Sequence, residues 1–326
     1  MVESKYWVWT AKETAELKTE KLPAPSADQV LIKTRFTAVS PGTEMALYMM
    51  THVGFPDPNN KYAKYPHRGG YLNVGIVEAA GDKIASAFPA GTWVFSSAGH
   101  CQYSLHAIGG DFWGDVFKLP ECLHGPEAAL VGMVRIGYTA PYLAPAAIGE
   151  TVAVFGGGLV GNFAAQVYQA AAADVVLVER DNFRRNIAAE CGLPVVAAIE
   201  DVSKHFGAAP RMVIEATGVP QLSVEAMKMC ARKGRVVILS SPRGEASVNF
   251  YSQIHQKCIS VIGAHGNGID DPAASARLVI RLAAEGKVKL APCLTHVEPW
   301  RDAPKVWDIY AKGAAGRLGT AFDWEK

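Results

Sequence analysis

The 326-residue sequence predicts an α/β protein made of a mostly β N-terminal domain and a doubly wound parallel-sheet domain. Three observations carry this. Short β-branched and aromatic runs broken by Gly and Pro fill the first third, and apolar strands alternating with alanine-rich helices fill the middle. Between one such strand and the next helix lies the glycine pattern of Gly156, Gly158 and Gly161.

In chain order, Gln29–Val39, Leu72–Ala80, Thr92–Ser96 and Cys101–His106 read as strands of a mainly antiparallel domain spanning 1–124. Pro89-Ala90-Gly91-Thr92 is a turn feeding one of them. From about Gly125, strands are expected at Thr151–Phe155, Val175–Val178, Met212–Ile214, Val236–Leu239 and Ile259–Ile262. Helices are expected between them at Leu159–Ala173, Asn182–Cys191 and Val224–Ala231. Fully apolar strands separated by helices point to a parallel sheet covered on both faces, assigned to 125–268. The remaining 269–326 opens with a helix over Ala273–Glu285, ends in strand-like Leu318–Phe322, and is expected to complete the first domain.

Composition narrows the function classes. With 49% apolar and 19% charged residues the chain is globular. A net charge of +1 gives no electrostatic reason to expect nucleic acid or an anionic membrane as partner. The six cysteines form no C-x-x-C pair, which suits reduced thiols. The N-terminus lacks a signal-peptide core and no window is apolar enough for a membrane span, so a soluble, cytoplasmic protein is expected.

Each glycine of the pattern has a physical task. Gly156 permits a tight turn, Gly158 lets the backbone approach a pyrophosphate, and Gly161 allows close packing of helix on strand. Leu159 and Val160 open the helix, whose free N–H groups and positive end suit phosphates. Glu179 ends the next strand about 20 residues on, where a carboxylate holds the ribose hydroxyls of NAD. Arg180 and Arg184 follow and keep NADP possible, because arginines hold a 2′-phosphate; Arg185 reads rather as a solvated helix start. Thr217 and Gly218, then Ser240, Ser241 and Pro242, follow apolar strands and are placed to line the nicotinamide half. Thr139 completes the cofactor-binding candidates.

The order of parts resembles the medium-chain dehydrogenase/reductase superfamily over essentially the whole chain. The residues carrying the resemblance are Gly70–Glu78, Phe117–Pro120, Gly149–Val152, Gly156–Gly161, Ile214–Gly218 and the tail from Thr295 to Leu318-Gly319. It implies a GroES-like catalytic domain beside a Rossmann domain, and a nicotinamide cofactor. The departures concern zinc. Ser40 in Ser40-Pro41-Gly42-Thr43-Glu44 stands where zinc members carry a Cys, with one residue inserted, and Tyr71 and Leu72 replace their His and Glu. The third position falls near Gly132, and the structural-zinc cysteine lobe is absent. Hydroxyl, phenol and glycine are poor zinc ligands, so no zinc is expected. The S-x-G-T-E segment also resembles the zinc-free branch containing bacteriochlorophyllide dehydrogenase.

Without a metal, a side chain must stabilise the charge that develops on the substrate oxygen. Tyr71 is the first candidate, with Thr43 and Ser40 as relay hydroxyls and Glu44 as a base or orienting group. The bland alternatives are that Tyr71 fills volume, Glu44 caps or pairs, and Ser40 satisfies a turn. His265 is an outside candidate for an acid, and His67, His100 and Cys101 match no zinc template. Tyr48, Met49, Met50, His52, Phe112 and Trp113 are candidate pocket walls for a cyclic, sugar-like or aromatic alcohol or ketone. The competing readings are a zinc-free NADPH quinone or enoyl reductase and a non-catalytic NAD(P)-binding protein. The resemblance also implies a homodimer, with the apolar run Gly234–Ser241 either near the contact or a central strand.

Overall fold

The computed structural model describes residues 1–109 and 116–326, so Phe112 and Trp113 lie outside the described residues. The chain divides into two units, one of residues 1–132 with 294–326 and one of residues 133–293.

The first unit opens with a hairpin of β1 (Val2–Ala11) and β2 (Thr14–Leu22). β3 (Gln29–Ala38) follows, then helix α1 (Pro41–Tyr48) and the two-residue β4 (His67–Arg68), which pairs with β1. β5 (Asn73–Ala80), β6 (Trp93–Ser96), β7 (Tyr103–Ala107) and β8 (Val116–Lys118) continue the unit. β3 pairs antiparallel with β5 and with β7, and its apolar residues Val30, Leu31, Ile32, Phe36 and Ala38 are buried around an exposed Lys33. The helix α1 was not foreseen. Pro41 and Gly42 discourage a helical reading, yet proline is favoured in a first helical turn, where its missing N–H is not needed.

The second unit follows α2 (Val131–Leu143). It alternates β9 (Thr151–Phe155), α3 (Leu159–Ala170), β10 (Asp174–Val178), α4 (Asn182–Glu190), β11 (Val195–Val196) and α5 (Val202–Phe206). β12 (Met212–Glu215), α6 (Pro220–Met229), β13 (Arg235–Ile238), β14 (Ser260–Gly263) and α7 (Pro272–Ala284) complete it. The six strands form one parallel sheet in the order β11-β10-β9-β12-β13-β14. The chain runs from β9 outward to β10 and β11 and then crosses back to β12 on the other side of β9, so the sheet switches there, and ligands of such sheets bind beyond the strand ends at that point. The run Gly234–Ser241 contains β13, an internal strand; the edge is β14.

The chain then returns to the first unit with β15 (Leu294–Pro299), α8 (Ala303–Ala311) and β16 (Gly319–Asp323). β16 pairs antiparallel with β3 and parallel with β15, so the last strand is an internal strand of the first unit's larger sheet. The return also seals an aromatic core in which Trp300 stacks on Trp324 at 4.9 Å and Trp307 meets Trp9 edge-on at 5.4 Å.

Leu72 is fully buried beside Gly132, where an added Cβ would lie 2.2 Å from its Cδ2. Leu72→Ala is therefore expected to cost about 2–5 kcal/mol. Urea unfolding checks this as a lower midpoint at unchanged slope.

Candidate active site

In the first unit, the segment from Ser40 to Glu44 builds a hydroxyl cluster. Ser40 is the N-cap residue of α1, the position where a serine hydroxyl usually accepts from the helix's own first N–H groups. Here it makes no such bond; its Oγ is hydrogen-bonded to the Tyr71 phenol instead. Burial pushes that phenol up to about 12, the Ser40 and Thr43 hydrogen bonds pull against the rise, and the Glu44 charge adds to it. At neutral pH Tyr71 is thus a protonated donor.

Glu44 is 1% exposed and holds the cluster from behind. Its Oε1 accepts from the Ser40 backbone N–H at 2.8 Å, and its Oε2 accepts from Trp307 Nε1 at 3.2 Å and lies 3.1 Å from His100 Nε2. The carboxylate orients Ser40 rather than Tyr71. His100, equally buried, reaches Thr37 Oγ1 through Nδ1 at 2.8 Å. Sequence reading missed the Glu44–His100 pair because the two residues lie 56 positions apart with no motif between them. Tyr48, read as a pocket wall, is 2% exposed in the aromatic core and donates to Asp308 Oδ1 at 2.9 Å.

In the second unit the glycine loop follows β9. Gly156 has φ +101°, and a Cβ at Gly161 would lie 2.0 Å from the Gly156 carbonyl oxygen. A Cβ at Gly158 would meet nothing within 4 Å, so open space lies where a pyrophosphate would approach the N-terminus of α3. Leu159 is buried in the first turn of α3, beside half-buried Val160. Glu179 Oε2 accepts from Gly157 N–H at 2.8 Å and its Oε1 from Asp181 N–H at 2.9 Å, which ties the glycine loop to the end of β10. Arg184 approaches Glu179 at 3.9 Å, while Arg180 is exposed. Arg185 is no solvated helix start; its guanidinium donates to the Glu179 and Arg180 carbonyls at 2.9 and 2.6 Å.

The loops after β12 and β13 are gathered by Glu215, a fully buried carboxylate. Its Oε1 accepts from the Thr217 N–H at 2.6 Å, the Gly218 N–H at 3.2 Å and the Thr217 hydroxyl, and its Oε2 from the Ser240 hydroxyl. Thr217, Gly218 and Ser240 thus come together, and Ser241 and Pro242 continue from Ser240. Glu215 itself was passed over, because an acidic residue at the end of an apolar strand looks like a strand terminus. Thr139 is buried in α2, with its hydroxyl donating to the Arg135 carbonyl of its own helix at 3.4 Å. His265 is exposed and caps a short turn by accepting from the Asn267 N–H.

Residues 160–284 match the family model described as zinc-binding dehydrogenase. An L-threonine 3-dehydrogenase of Bacillus licheniformis is 27% identical over 219 residues, 64% of this chain and 60% of that protein. The L-threonine 3-dehydrogenase of Bacillus velezensis is 24% identical over 93% of this chain and 94% of its own length. The fold is shared with a solved alcohol dehydrogenase, rspB of Escherichia coli CFT073 complexed with NADH, at a TM-score of 0.83, 17% identity and 99% coverage of both chains. By these likenesses the chain is similar to the medium-chain, zinc-type alcohol dehydrogenase-like proteins. It is an NAD(P)-dependent oxidoreductase acting on CH–OH and C=O groups.

The family's description raises the question of zinc, and the donor set of this dehydrogenase does not fit it. The Ser40 and Tyr71 hydroxyls bond to each other, and the Glu44 oxygens already serve Ser40, Trp307 and His100. Any side chain at Gly132 would collide with Leu72. Zinc takes thiolate, imidazole or carboxylate, and among the described residues no three such side chains gather. The glycine loop, by contrast, fits a dinucleotide. Gly161→Ala is expected to weaken NADH binding at least about tenfold through the clash with Gly156, well over 1 kcal/mol. Titration by protein fluorescence checks it.

Proposed function

We propose that this dehydrogenase is a zinc-independent, NAD(H)-dependent alcohol dehydrogenase and ketone reductase. Its substrate is a secondary alcohol or ketone of cyclic, sugar-like or aromatic type. The observation that carries the reading is the hydrogen-bonded hydroxyl pair of Ser40 and Tyr71, the residues that the sequence resemblance sets against metal ligands of zinc members. The S-x-G-T-E segment keeps the resemblance to the bacteriochlorophyllide dehydrogenase branch within this proposal.

The bound nicotinamide supplies the hydride chemistry. The chain's own residues hold it and manage the proton. Gly158 and the N-terminus of α3 would receive the pyrophosphate, on the turn that Gly156 permits and with Gly161 packed closely behind, and Glu179 would accept from the ribose hydroxyls, which supports NAD over NADP. Arg184 beside Glu179 is the residue through which NADP would be tolerated. In reduction, the Tyr71 phenol donates its hydrogen bond and then its proton to the substrate oxygen, and the phenolate regains a proton that originates in solvent, the Ser40 hydroxyl taking one up as it passes one on. Oxidation reverses the path. Thr43 supports the phenol, and Glu44 fixes Ser40 so that its hydroxyl stays directed to Tyr71.

We further propose a cytoplasmic homodimer. Single thiols with no disulfide among them, including exposed Cys122 and Cys258, suit a reducing compartment. β14, an edge strand carrying the exposed Val261, offers unpaired backbone groups to a second copy. Light scattering at micromolar concentration checks it, and a monomer mass would overturn it.

Tyr71→Phe keeps the ring and removes the donor. It is expected to lower turnover about 10²–10⁴-fold, the usual weight of a positioned acid, with NADH affinity unchanged. Unchanged turnover would take the phenol out of the mechanism.

A further inference from the structure

The six cysteines, scattered in sequence, include one pair that the fold brings together. Cys191 caps the C-terminus of α4 and Cys293 ends the short turn before β15, 102 residues later; their sulfurs are 3.7 Å apart. Both belong to the second unit and both are buried, Cys293 completely and Cys191 at 4% exposure. We propose that Cys191 and Cys293 form an oxidisable dithiol that closes to an intrachain disulfide when the protein meets a peroxide.

The surroundings distinguish the two sulfurs. The Cys293 thiol donates toward Asn162 Oδ1 at 3.6 Å, and Asn162 Nδ2 is buried with no hydrogen-bond partner. The hydrogen bond with Cys293 holds the Cys191 thiol below the usual thiol range, helped by the Lys289 charge. Its partner is pushed the opposite way by the same bond and by burial. Cys191 is therefore the attacking sulfur and Cys293 the resolving one.

The chemistry balances with the peroxide as oxidant. The Cys191 thiolate attacks one peroxide oxygen, the O–O bond breaks, and a sulfenic acid and hydroxide result. The Cys293 sulfur then attacks the sulfenic sulfur, the S–S bond forms, the S–O bond breaks, and the Cys293 proton leaves with the departing hydroxide as water. The peroxide takes up the two electrons that the thiols lose.

The position gives the pair a route to the cofactor loop. Asn162 lies in the first turn of α3, where its N–H donates to the Gly158 carbonyl at 2.9 Å. Gln166, one turn further, donates to Asn162 Oδ1 at 2.7 Å. A change at the sulfurs thus acts on a side chain one turn from the glycine that faces the pyrophosphate.

The test treats the reduced full-length protein with hydrogen peroxide, then unfolds it and counts thiols. The expected result is a fall from six titratable thiols to four once sulfenic acids at exposed Cys122 and Cys258 have been reversed with arsenite. Mass spectrometry of a non-reducing digest should show one cross-linked peptide pair containing Cys191 and Cys293, lighter by two hydrogens and released by dithiothreitol. Cys191→Ser and Cys293→Ser should each abolish it. Recovery of both residues as free thiols, or over-oxidation of Cys191 with no cross-link, would overturn the proposal.

Discussion

A buried carboxylate organises the first unit. Taking Glu44 out of water costs several kcal/mol, which is offset only because its oxygens meet N–H groups from three directions. Those groups come from the backbone of Ser40, the indole of Trp307 and the imidazole of His100. Through them α1 is fastened to α8 of the returning tail and to the segment that carries His100. The main consequence for chemistry is local. Glu44 reaches back to hold the Ser40 N–H, while the serine hydroxyl makes no capping bond and pairs with Tyr71.

The same network explains why a glycine precedes Tyr71. Gly70 has φ +85°, and a Cβ there would lie 2.8 Å from the His100 ring. The chain wraps tightly over the imidazole before presenting the phenol. In the second unit two further carboxylates do comparable work on loops. Glu179 holds the glycine loop to the end of β10, and Glu215 draws the turns after β12 and β13 together. In each case a negative charge at a strand end is met by loop N–H or O–H donors, so the loops are set before any ligand arrives.

Much of this architecture was legible in the sequence. The parallel sheet announces itself because strands buried on both faces read as uninterrupted apolar runs, and the strand at Thr151–Phe155 lies where it was expected. The glycine loop is equally legible, since each glycine answers a local steric demand. What was not legible depends on contacts between distant residues. Helix α1 hides behind Pro41 and Gly42. Glu44 and His100, or Cys191 and Cys293, meet only because the fold closes over long separations, and no periodicity encodes such meetings. Arg185 looked like surface charge because its carbonyl partners leave no mark in the side-chain pattern.

We propose that hydroxyls positioned by Glu44 do here what a metal does in zinc-dependent alcohol dehydrogenases. The most direct measurement is alcohol oxidation with NAD after exhaustive dialysis against a chelator, with zinc quantified on the same sample. Full turnover at zinc far below one ion per chain is the predicted result. Activity that disappears with the metal and returns on adding zinc would contradict the account.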